Sequence, residues 1–228
     1  MRKILNEVAV TVLIPALNEE ETITETVKAA LAMPRVVRVV VIDDGSTDQT
    51  VELAEKAGAL VIESSKNLGK GGALNLGLSM MVGDYLLLLD ADLGHTAIEG
   101  QKLLDAVVKE QADLVIGRFP AKKRKSGLGL VLGLARKVIR NFTGLNLSSP
   151  LSGQRALNKK AIQALNGGFA EGFGVEVAMI IDLAKQGLVI KEIPVEMEHR
   201  QTQKNISGFI HRGKQFVDVI SVALKRLL

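Results

Sequence analysis

Acidic and polar residues follow three apolar segments in the first half of the chain. The segment 8–14 precedes P-A-L-N-E-E, the segment 36–42 precedes D-D-G-S-T-D, and the segment 85–89 precedes Asp90-Ala91-Asp92. Carboxylates two residues apart at the end of a strand point to one side. They leave coordination positions for waters and phosphate oxygens, which is the usual arrangement around Mg²⁺. We therefore predict that Asp90 and Asp92 hold Mg²⁺ or Mn²⁺, which would offset charge on a departing diphosphate.

A glycine-rich segment, N-L-G-K-G-G-A at 67–73, opens a predicted helix. Backbone amides at the start of a helix can face an anion, and Lys70 adds a positive charge for a phosphate. A surface loop without a ligand is the alternative. A Walker-type phosphate loop is excluded, because no Ser or Thr follows Gly69-Lys70 at the required place.

The acidic pair Asp43 and Asp44 has two interpretations. An acidic pair before Gly-Ser-Thr commonly forms a turn and caps a helix. One carboxylate can cap while the other accepts hydrogen bonds from a base or a ribose. The sequence leaves open which residue does which.

Strand-like and helix-like segments alternate around these groups. Strands are predicted at 8–14, 36–42, 60–62, 85–89 and 114–116, and helices at 22–33, 46–56, 71–81 and 97–110. Ser46 and Gln49 form a predicted capping box for the second helix. The second half has a basic amphipathic stretch at 128–142, a helix at 175–186, a strand at 188–200 and a helical segment at 208–228. This order predicts an α/β fold with a mostly parallel central sheet and helices on both faces. Ligands in such sheets bind at the carboxyl ends of the strands.

Composition narrows the class of protein. A chain of 228 residues with 47% hydrophobic residues suits one domain with a sizeable core. The absence of cysteine excludes disulfides and thiolate metal sites. The net charge of +4 suits an anionic partner, while 3% aromatic residues and no Trp argue against nucleic acid. No apolar run approaches the ~20 residues of a membrane span, so a cytoplasmic protein is expected.

The chain contains four motifs in order: P-A-L-N-E, D-D-G-S-T-D, N-L-G-K-G-G-A and D-A-D. This set resembles the nucleotide-diphospho-sugar transferases with the A-type glycosyltransferase (GT-A) fold, and among them it is similar to the family 2 glycosyltransferases. The resemblance extends over about residues 8–200. It points to two branches, dolichyl-phosphate mannosyltransferase and the glucosyl-3-phosphoglycerate synthases. It implies a metal-dependent hexose transfer from a UDP- or GDP-sugar, such as UDP-glucose or GDP-mannose. The implied acceptor is small and phosphorylated, either 3-phosphoglycerate-like or a polyprenyl phosphate.

The same resemblance implies roles for individual residues. The predicted nucleoside and substrate contacts are Pro15, Ala16, Asn18, Glu19 and either Asp43 or Asp44. Lys70 would reach the diphosphate, and Asp90 and Asp92 would hold the metal and the sugar nucleotide. The predicted catalytic group is Lys70, Asp92 and Glu176. Within the single domain 1–228, residues 1–117 would bind the nucleotide sugar and 118–228 the acceptor.

The second half resembles both branches. The run E-G-F-G-V-E-V at 171–177 and Glu198-His199-Arg200 resemble the synthases, in which the His binds the metal and the Glu lies near the acceptor. Apolar residues alternate at 193, 195 and 197, so His199 is in phase with the inward face and could reach the metal. A hydrogen-bonded histidine at a strand end is the alternative. D-A-D-L-G-H, ending at His95, resembles the prenyl-phosphate branch, and His95 is expected to support or cap rather than bind the metal.

Two arginines are candidates for binding an acceptor phosphate. Arg118 in I-G-R and Arg155 in S-G-Q-R also resemble the prenyl-phosphate branch. A planar guanidinium suits a phosphate, but a structural ion pair is equally open for each.

Alternatives of other classes remain. A nucleotidyltransferase needs a glycine-rich loop with an arginine after the first strand, where this chain has P-A-L-N-E. A non-catalytic nucleotide-sugar-binding protein would not need an intact metal site.

The basic residues 122–125 and the stretch 128–142 favour a mobile acceptor-side segment, with transient contact to an anionic membrane surface as the weaker alternative. Apolar residues in 208–228 either pack on the core or form a homodimer.

Overall fold

The computed structural model describes residues 8–120, 128–170 and 174–199, except for the side chain of Leu128. The strands are β1 (Val10–Ala16), β2 (Val36–Asp43), β3 (Leu60–Glu63), β4 (Tyr85–Leu88), β5 (Leu114–Arg118), β6 (Arg155–Leu157) and β7 (Ile190–Pro194). The helices are α1 (Ile23–Leu31), α2 (Thr50–Lys56), α3 (Gly69–Leu78), α4 (Gly100–Val108), α5 (Leu128–Thr143), α6 (Lys159–Ala164) and α7 (Val175–Lys185). A 3₁₀ segment, Ala91–Glu99, lies between β4 and α4.

The strands form one sheet in the order β3-β2-β1-β4-β6-β5-β7. β6 runs antiparallel to both of its neighbours, and the other pairs are parallel. The prediction of a mostly parallel sheet is confirmed.

Both faces of the sheet are covered. Val12 and Ile14 of β1 pack in one buried cluster with residues of α1 and α4, while Leu13 between them packs on the opposite face with residues of α3, α5 and α7. Successive side chains of a strand point to opposite faces, so a continuous apolar run is what a doubly covered strand requires. The predicted helices on both faces are confirmed.

The predicted capping box at Ser46 and Gln49 is wrong. The helix begins at Thr50, because the Asp48 carboxylate accepts a hydrogen bond from the Thr50 amide (3.0 Å). The Ser46 hydroxyl instead accepts from the backbone amide of Asn18 (2.8 Å) and ties the loop after β1 to the loop after β2.

Four other elements differ from the prediction. The helix expected from residue 97 begins as the 3₁₀ segment, which is kinked at Gly94, where φ is +52°. The strand expected at 188–200 ends at Pro194. β6 and α6 were not predicted, because a three-residue strand that begins with an arginine has no recognisable apolar pattern.

The reversed direction of β6 matters for the site. Arg155 pairs with Leu88, so the residues just before β6 lie beside the carboxyl end of β4. Arg155 also pairs with Ile116 of β5. β6 thus places residues of the second half of the chain between two strands of the first half.

None of the helices in the described part of the chain has the length and apolar character needed to cross a membrane. The segments 122–125 and 208–228, Arg200 and the run 171–173 lie outside the described residues, and with them the expectations for a charged loop and for a C-terminal packing or dimer surface. The division of the domain into donor and acceptor halves stays a prediction.

Candidate active site

A cavity of about 500 Å³ opens at the carboxyl edge of β1, β2 and β4. β1 lies between β2 and β4, so the strand order switches direction here, which is where open α/β sheets bind ligands. The lining residues are Pro15, Ala16, Leu17, Glu19, Asp44, Asn67, Gly69, Lys70, Ala73, Asp90, Ala91, Asp92 and His199. The cavity therefore collects residues from all three polar strand ends and from the second half of the chain.

Lys70 lies at the base of this cavity between two carboxylates. Its ammonium nitrogen is 2.6 Å from Asp90 Oδ1 and 2.9 Å from Glu176 Oε1. Burial alone would lower the pKa of Lys70, but the charges of Asp90 and Glu176 outweigh it and raise the pKa. Lys70 is therefore a permanent cation that joins α3, the end of β4 and α7.

Asp90 is held by several positive groups. Burial alone would raise the pKa of its carboxyl, but Lys70, His199 and Arg155 outweigh it and hold that pKa below its usual value. The Gln154 side-chain amide also donates to Asp90 Oδ2 at 2.9 Å. Asp90 is accordingly an anion at neutral pH.

His199 reaches the cavity from the segment after β7. Its Nδ1 is 2.8 Å from Asp92 Oδ1, and its ring stacks on Phe119 with centroids 4.9 Å apart. Burial alone would lower the pKa of His199, but its hydrogen bond to Asp92 and the charges of Asp92 and Asp90 raise it. The predicted alternation holds beyond the end of the strand, since Val195 and Met197 are buried.

Hydrogen bonds to the 3₁₀ segment fix the path of the backbone after β7. The amide of Glu196 donates to Glu99 Oε2 (2.8 Å), and the amide of Glu198 donates to Thr96 Oγ1 (3.1 Å). His199 is thus brought to Asp92 by backbone contacts that no local sequence pattern indicates.

Asp90, Asp92 and His199 form a donor set suited to a divalent cation. One ligand atom from each lies within 4.8 Å of the other two. Carboxylate oxygens suit Mg²⁺ and Mn²⁺, and an imidazole shifts the preference toward Mn²⁺ or a similar metal. The residues present therefore fit a metal ion of the predicted kind.

The glycine-rich loop binds an anion, but that anion is Asp44. The amides of Leu68 and Gly69 donate to Asp44 Oδ1 (2.6 Å) and Oδ2 (2.8 Å). The prediction that these amides can face an anion holds, but the anion is a carboxylate 24 residues earlier in the chain. Lys70 remains the cationic side chain of this loop in the cavity.

Asn18 and Asp43 shape the loops at the rim and are not among the lining residues. Asn18 adopts a left-handed backbone (φ +54°), and its Oδ1 accepts from the Thr47 amide at 2.8 Å. Asp43 Oδ2 accepts from the amides of Gly45 and Ser46. Asp43 therefore closes the turn after β2, while Asp44 both caps the start of α3 and lines the cavity.

The two candidate phosphate-binding arginines differ. Arg155 is fully buried and donates to the carbonyls of Ser152, Pro150 and Glu176, at 2.9, 2.8 and 2.9 Å. Burial lowers its pKa to about 10, against the charges of Glu176, Asp90 and Glu192, so it stays charged at neutral pH. Arg155 therefore has a structural setting, but through hydrogen bonds to backbone carbonyls inside the core rather than through the ion pair that the sequence left open.

Arg118 is exposed and lines a second cavity of about 710 Å³. Its lining residues are Lys102, Arg118, Phe119, Pro120, Leu132, Arg136, Ser148, Ser149, Pro194, Val195 and Glu196. Phe119 separates this cavity from His199, on which it stacks. The second cavity is therefore a neighbour of the first.

Gly153 and Gln154 belong to the site, although sequence reasoning gave them no role. A Cβ at position 153 would lie 2.5 and 2.6 Å from the two oxygens of Asp90 and closer still to the Lys70 nitrogen. Only glycine leaves room for that ion pair. The S-G-Q-R run marked the position, but only the antiparallel course of β6 shows which groups it meets.

Of the remaining residues discussed from the sequence, Glu176 lies at the site and His95 does not line the cavity. Glu176 is buried against Lys70. His95 is exposed and is absent from the lining residues of the cavity, in keeping with the expectation that it does not bind the metal.

The fold matches solved glycosyltransferases. Glucosyl-3-phosphoglycerate synthase from Mycobacterium tuberculosis, in complex with Mn²⁺, UDP and phosphoglyceric acid, superimposes with a TM-score of 0.79 and 28% sequence identity, over 96% of this chain and 78% of that one. The fold is thus the GT-A fold, as the sequence predicted.

The sequence comparisons agree. The model for "Glycosyl transferase family 2" matches residues 11–165. The uncharacterized protein MJ1222 of Methanocaldococcus jannaschii is 33% identical over 84% of this chain and 82% of its own length. The low-salt glycan biosynthesis hexosyltransferase Agl6 of Haloferax volcanii is 32% identical over 87% of this chain but only 50% of its own length. The chain belongs to glycosyl transferase family 2, which favours a glycosyltransferase over the nucleotidyltransferase alternative.

Gly153→Ala tests the packing around the ion pair. The added methyl group would push Lys70 and Asp90 apart, and we expect transferase activity to fall by about 10- to 100-fold, as for small misplacements of reacting groups. The melting temperature should fall modestly, because the largely buried Lys70 loses its contact with Asp90 but keeps its contact with Glu176. Gly129→Ala is the matched control, since a Cβ there meets nothing within 4 Å. Equal activity of the two variants would contradict the close packing.

Proposed function

We propose that this protein is a metal-dependent glycosyltransferase that moves a hexose from a UDP- or GDP-sugar to a small phosphorylated acceptor. The observation that carries the proposal is the meeting of Asp90, Asp92, His199 and Lys70 in one cavity at the switch point of the sheet. The Mn²⁺ and UDP of the M. tuberculosis synthase support the metal and the nucleotide, and the name of Agl6 supports a hexose.

The nucleoside would lie against the end of β1. Pro15, Ala16 and Leu17 give that side of the cavity an apolar wall, and Leu17 is 43% exposed. Glu19 and Asp44 add acceptors for hydrogen bonds at the rim. An apolar wall with a few polar groups suits a flat base and a ribose.

Asp90, Asp92 and His199 would hold the metal ion. When bound, it supplies positive charge that stabilises a departing diphosphate. The protein adds Lys70, whose fixed ammonium group faces the same cavity. Because the charges are in place before reaction, the chain contributes mainly through positioning and electrostatics.

Glu176 is better suited to orient Lys70 than to act as a base. Its carboxylate is 2.9 Å from the Lys70 ammonium group and forms an ion pair with it. A phosphate acceptor is already anionic and needs no strong base. If the acceptor is a hydroxyl group instead, Glu176 is the candidate to assist its deprotonation.

The second cavity suits the acceptor. Lys102, Arg118 and Arg136 bring positive charge to it, and Ser148 and Ser149 bring hydroxyl groups. Its position on the far side of Phe119 from His199 places it beside the proposed donor site. The phosphoglyceric acid of the M. tuberculosis synthase supports a phosphorylated acid as one acceptor.

A polyprenyl phosphate is the second candidate acceptor. Phe119, Pro120, Leu132 and Val195 give the same cavity apolar surface for a lipid chain. Beyond it, Arg136, Lys137 and Arg140 of α5 line a groove of about 350 Å³, and Leu130 of the same helix is 78% exposed. A basic helix face with an exposed apolar residue favours contact with an anionic membrane surface.

Calorimetry with Mn²⁺ and nucleotides tests the metal site. Wild-type protein should bind one of UDP, GDP, UDP-glucose and GDP-mannose more tightly with Mn²⁺ than without it. Asp92→Asn and His199→Asn should each weaken metal-dependent binding by at least about tenfold, since even the loss of an outer partner costs that much. Asp84→Asn, at the opposite end of β4 and 58% exposed, is the control.

Calorimetry combined with an activity assay distinguishes a metal-dependent transferase from a non-catalytic nucleotide-sugar-binding protein. Metal-dependent nucleotide binding without transfer or donor hydrolysis would support the non-catalytic alternative. Binding that is indifferent to Mn²⁺ in the wild type would refute the metal-dependent mechanism.

Arg118→Ala tests the acceptor cavity. Loss of a charge-assisted hydrogen bond costs about 1.5–3 kcal/mol, so KM for a phosphorylated acceptor should rise by about 10- to 100-fold. Metal-dependent donor hydrolysis should be unchanged, because Arg118 does not line the donor cavity. Arg35→Ala, which removes an exposed cation paired with Asp105, is the control. A changed KM for the donor with an unchanged KM for the acceptor would contradict the proposed role of Arg118 in acceptor binding.

Vesicle flotation tests the α5 face. Vesicles that contain phosphatidylglycerol should carry the wild type upward at low salt, and the Lys137→Glu/Arg140→Glu variant should stay at the bottom, since each basic residue near such a surface contributes about 1 kcal/mol. Lys28→Glu/Lys56→Glu, on α1 and α2, is the control with the same change of charge. Failure of the wild-type protein to float with these vesicles would contradict the proposed membrane contact.

A further inference from the structure

A short loop between α5 and β6 lies between the two cavities. It comprises residues 148–152. Its first two residues, Ser148 and Ser149, line the second cavity. At its other end the chain continues into Gly153, which lies against the Asp90 carboxylate in the first cavity. The position of the 148–152 loop therefore affects both cavities.

Two charged side chains that reach this loop stand in one row across the sheet. Arg155 of β6 pairs with Ile116 of β5, and Ile116 pairs in turn with Glu192 of β7. Side chains of residues paired across a sheet point to the same face, and Ile116 packs in the buried cluster on the side of α5 and α7. Arg155 and Glu192 therefore approach the loop from the same face of the sheet.

The two side chains bind opposite kinds of backbone group. Arg155 donates to two carbonyls near the end of the loop. The Glu192 carboxylate accepts from the amide (2.8 Å) and the hydroxyl (2.6 Å) of Ser148 and from the amide of Ser149 (2.5 Å). A cation is matched to carbonyl oxygens and an anion to N–H and O–H donors, so charge-assisted hydrogen bonds hold the loop at both ends.

The loop in turn holds a cation of the second cavity. The Arg136 guanidinium donates to the Ser148 carbonyl, and Arg136 lines both the second cavity and the groove on α5. Among the described residues that line the second cavity, Glu192 does not occur, so its carboxylate acts on that cavity through the loop. We infer that Glu192 is a positioning residue that fixes the 148–152 loop and, through the Ser148 carbonyl, holds Arg136 where it can bind an acceptor phosphate.

The direction of a mutational effect separates this role from simple charge repulsion. A carboxylate near an anionic acceptor repels it, so removal of the charge alone should strengthen acceptor binding. A carboxylate that fixes the loop has the opposite effect, because the loss of its hydrogen bonds lets Ser148 and Arg136 shift. Glu192→Gln keeps the size of the side chain, but its NH₂ end accepts no hydrogen bond, so at least one of the three contacts is lost.

Hydrogen exchange tests the hold on the loop without any substrate. The amides of Ser148 and Ser149 should exchange slowly in the wild-type protein and at least about tenfold faster in Glu192→Gln, since a hydrogen bond to a charged group is lost. Glu63→Gln, on the opposite edge strand β3, is the matched control and should leave both rates unchanged. Rapid exchange of both amides in the wild type would overturn the inference, whether or not an acceptor is found.

The inference rests on the proposed function, and steady-state kinetics with 3-phosphoglycerate and a short polyprenyl phosphate tests that connection. For the acceptor that the wild type uses, Glu192→Gln should raise KM by about tenfold. Metal-dependent donor hydrolysis should be unchanged, because Arg155 still holds the end of the loop beside Asp90. Glu196→Gln, which removes a carboxylate that lines the same cavity, should instead lower KM for the acceptor. A KM that stays the same or falls in Glu192→Gln would overturn the inference.

A double-mutant cycle with Arg136→Ala tests whether Glu192 acts through Arg136. Arg136→Ala should itself raise KM for the acceptor, and the addition of Glu192→Gln should then raise it by less than about twofold, because the guanidinium that the loop positions is gone. Full additivity of the two changes would refute the route through Arg136.

The two proposals fail in different ways. Wild-type protein that transfers a sugar to neither acceptor would defeat the proposed function, and the exchange rates would still decide whether Glu192 fixes the loop. Transfer by the wild type, with an unchanged KM for the acceptor in folded Glu192→Gln, would defeat only the role of Glu192.

Discussion

The Lys70 ammonium group between Asp90 and Glu176 is the interaction on which the cavity depends. It joins α3, the end of β4 and α7, and its contacts at 2.6 and 2.9 Å leave no room for a side chain at Gly153. A largely buried charge is tolerated only when it is paired, so removal of either carboxylate would leave an uncompensated cation. The ion pairs therefore set the positions of the surrounding elements before any ligand binds.

The sequence was most informative about the first half of the chain. Continuous apolar runs predicted β1, β2, β3, β4 and β5, and each observed boundary lies within two residues of its prediction. Because parallel strands end at one edge of a sheet, the acidic strand ends could be expected to meet without knowledge of the contacts. The alternation of Val195 and Met197 likewise placed His199 correctly, although the regular strand ends earlier, since burial on one face continues past the last ladder hydrogen bond.

What the sequence could not give is the set of long-range partners. Asp44 takes the first amides of α3, although it lies 24 residues before them, and no local pattern distinguishes that from a free carboxylate. Gln154 and Arg155 stand in the S-G-Q-R run, whose local pattern indicates neither contact, yet the one contacts Asp90 and the other is buried under the site. These roles depend on the antiparallel insertion of β6, a tertiary feature with too few residues to show a period.

The placement of β6 also bears on how the protein acquires its activity during synthesis. β4 and β5 are made first but do not pair with each other, and the gap between them is filled by a strand that emerges about 40 residues after β5. A nascent chain that has not yet extended past residue 152 contains the Lys70 and Asp90 side chains, but not the groups that confine them. We therefore expect the ribosome-bound intermediate to be inert toward nucleotide sugars, because its charged residues become organised only when the C-terminal half docks.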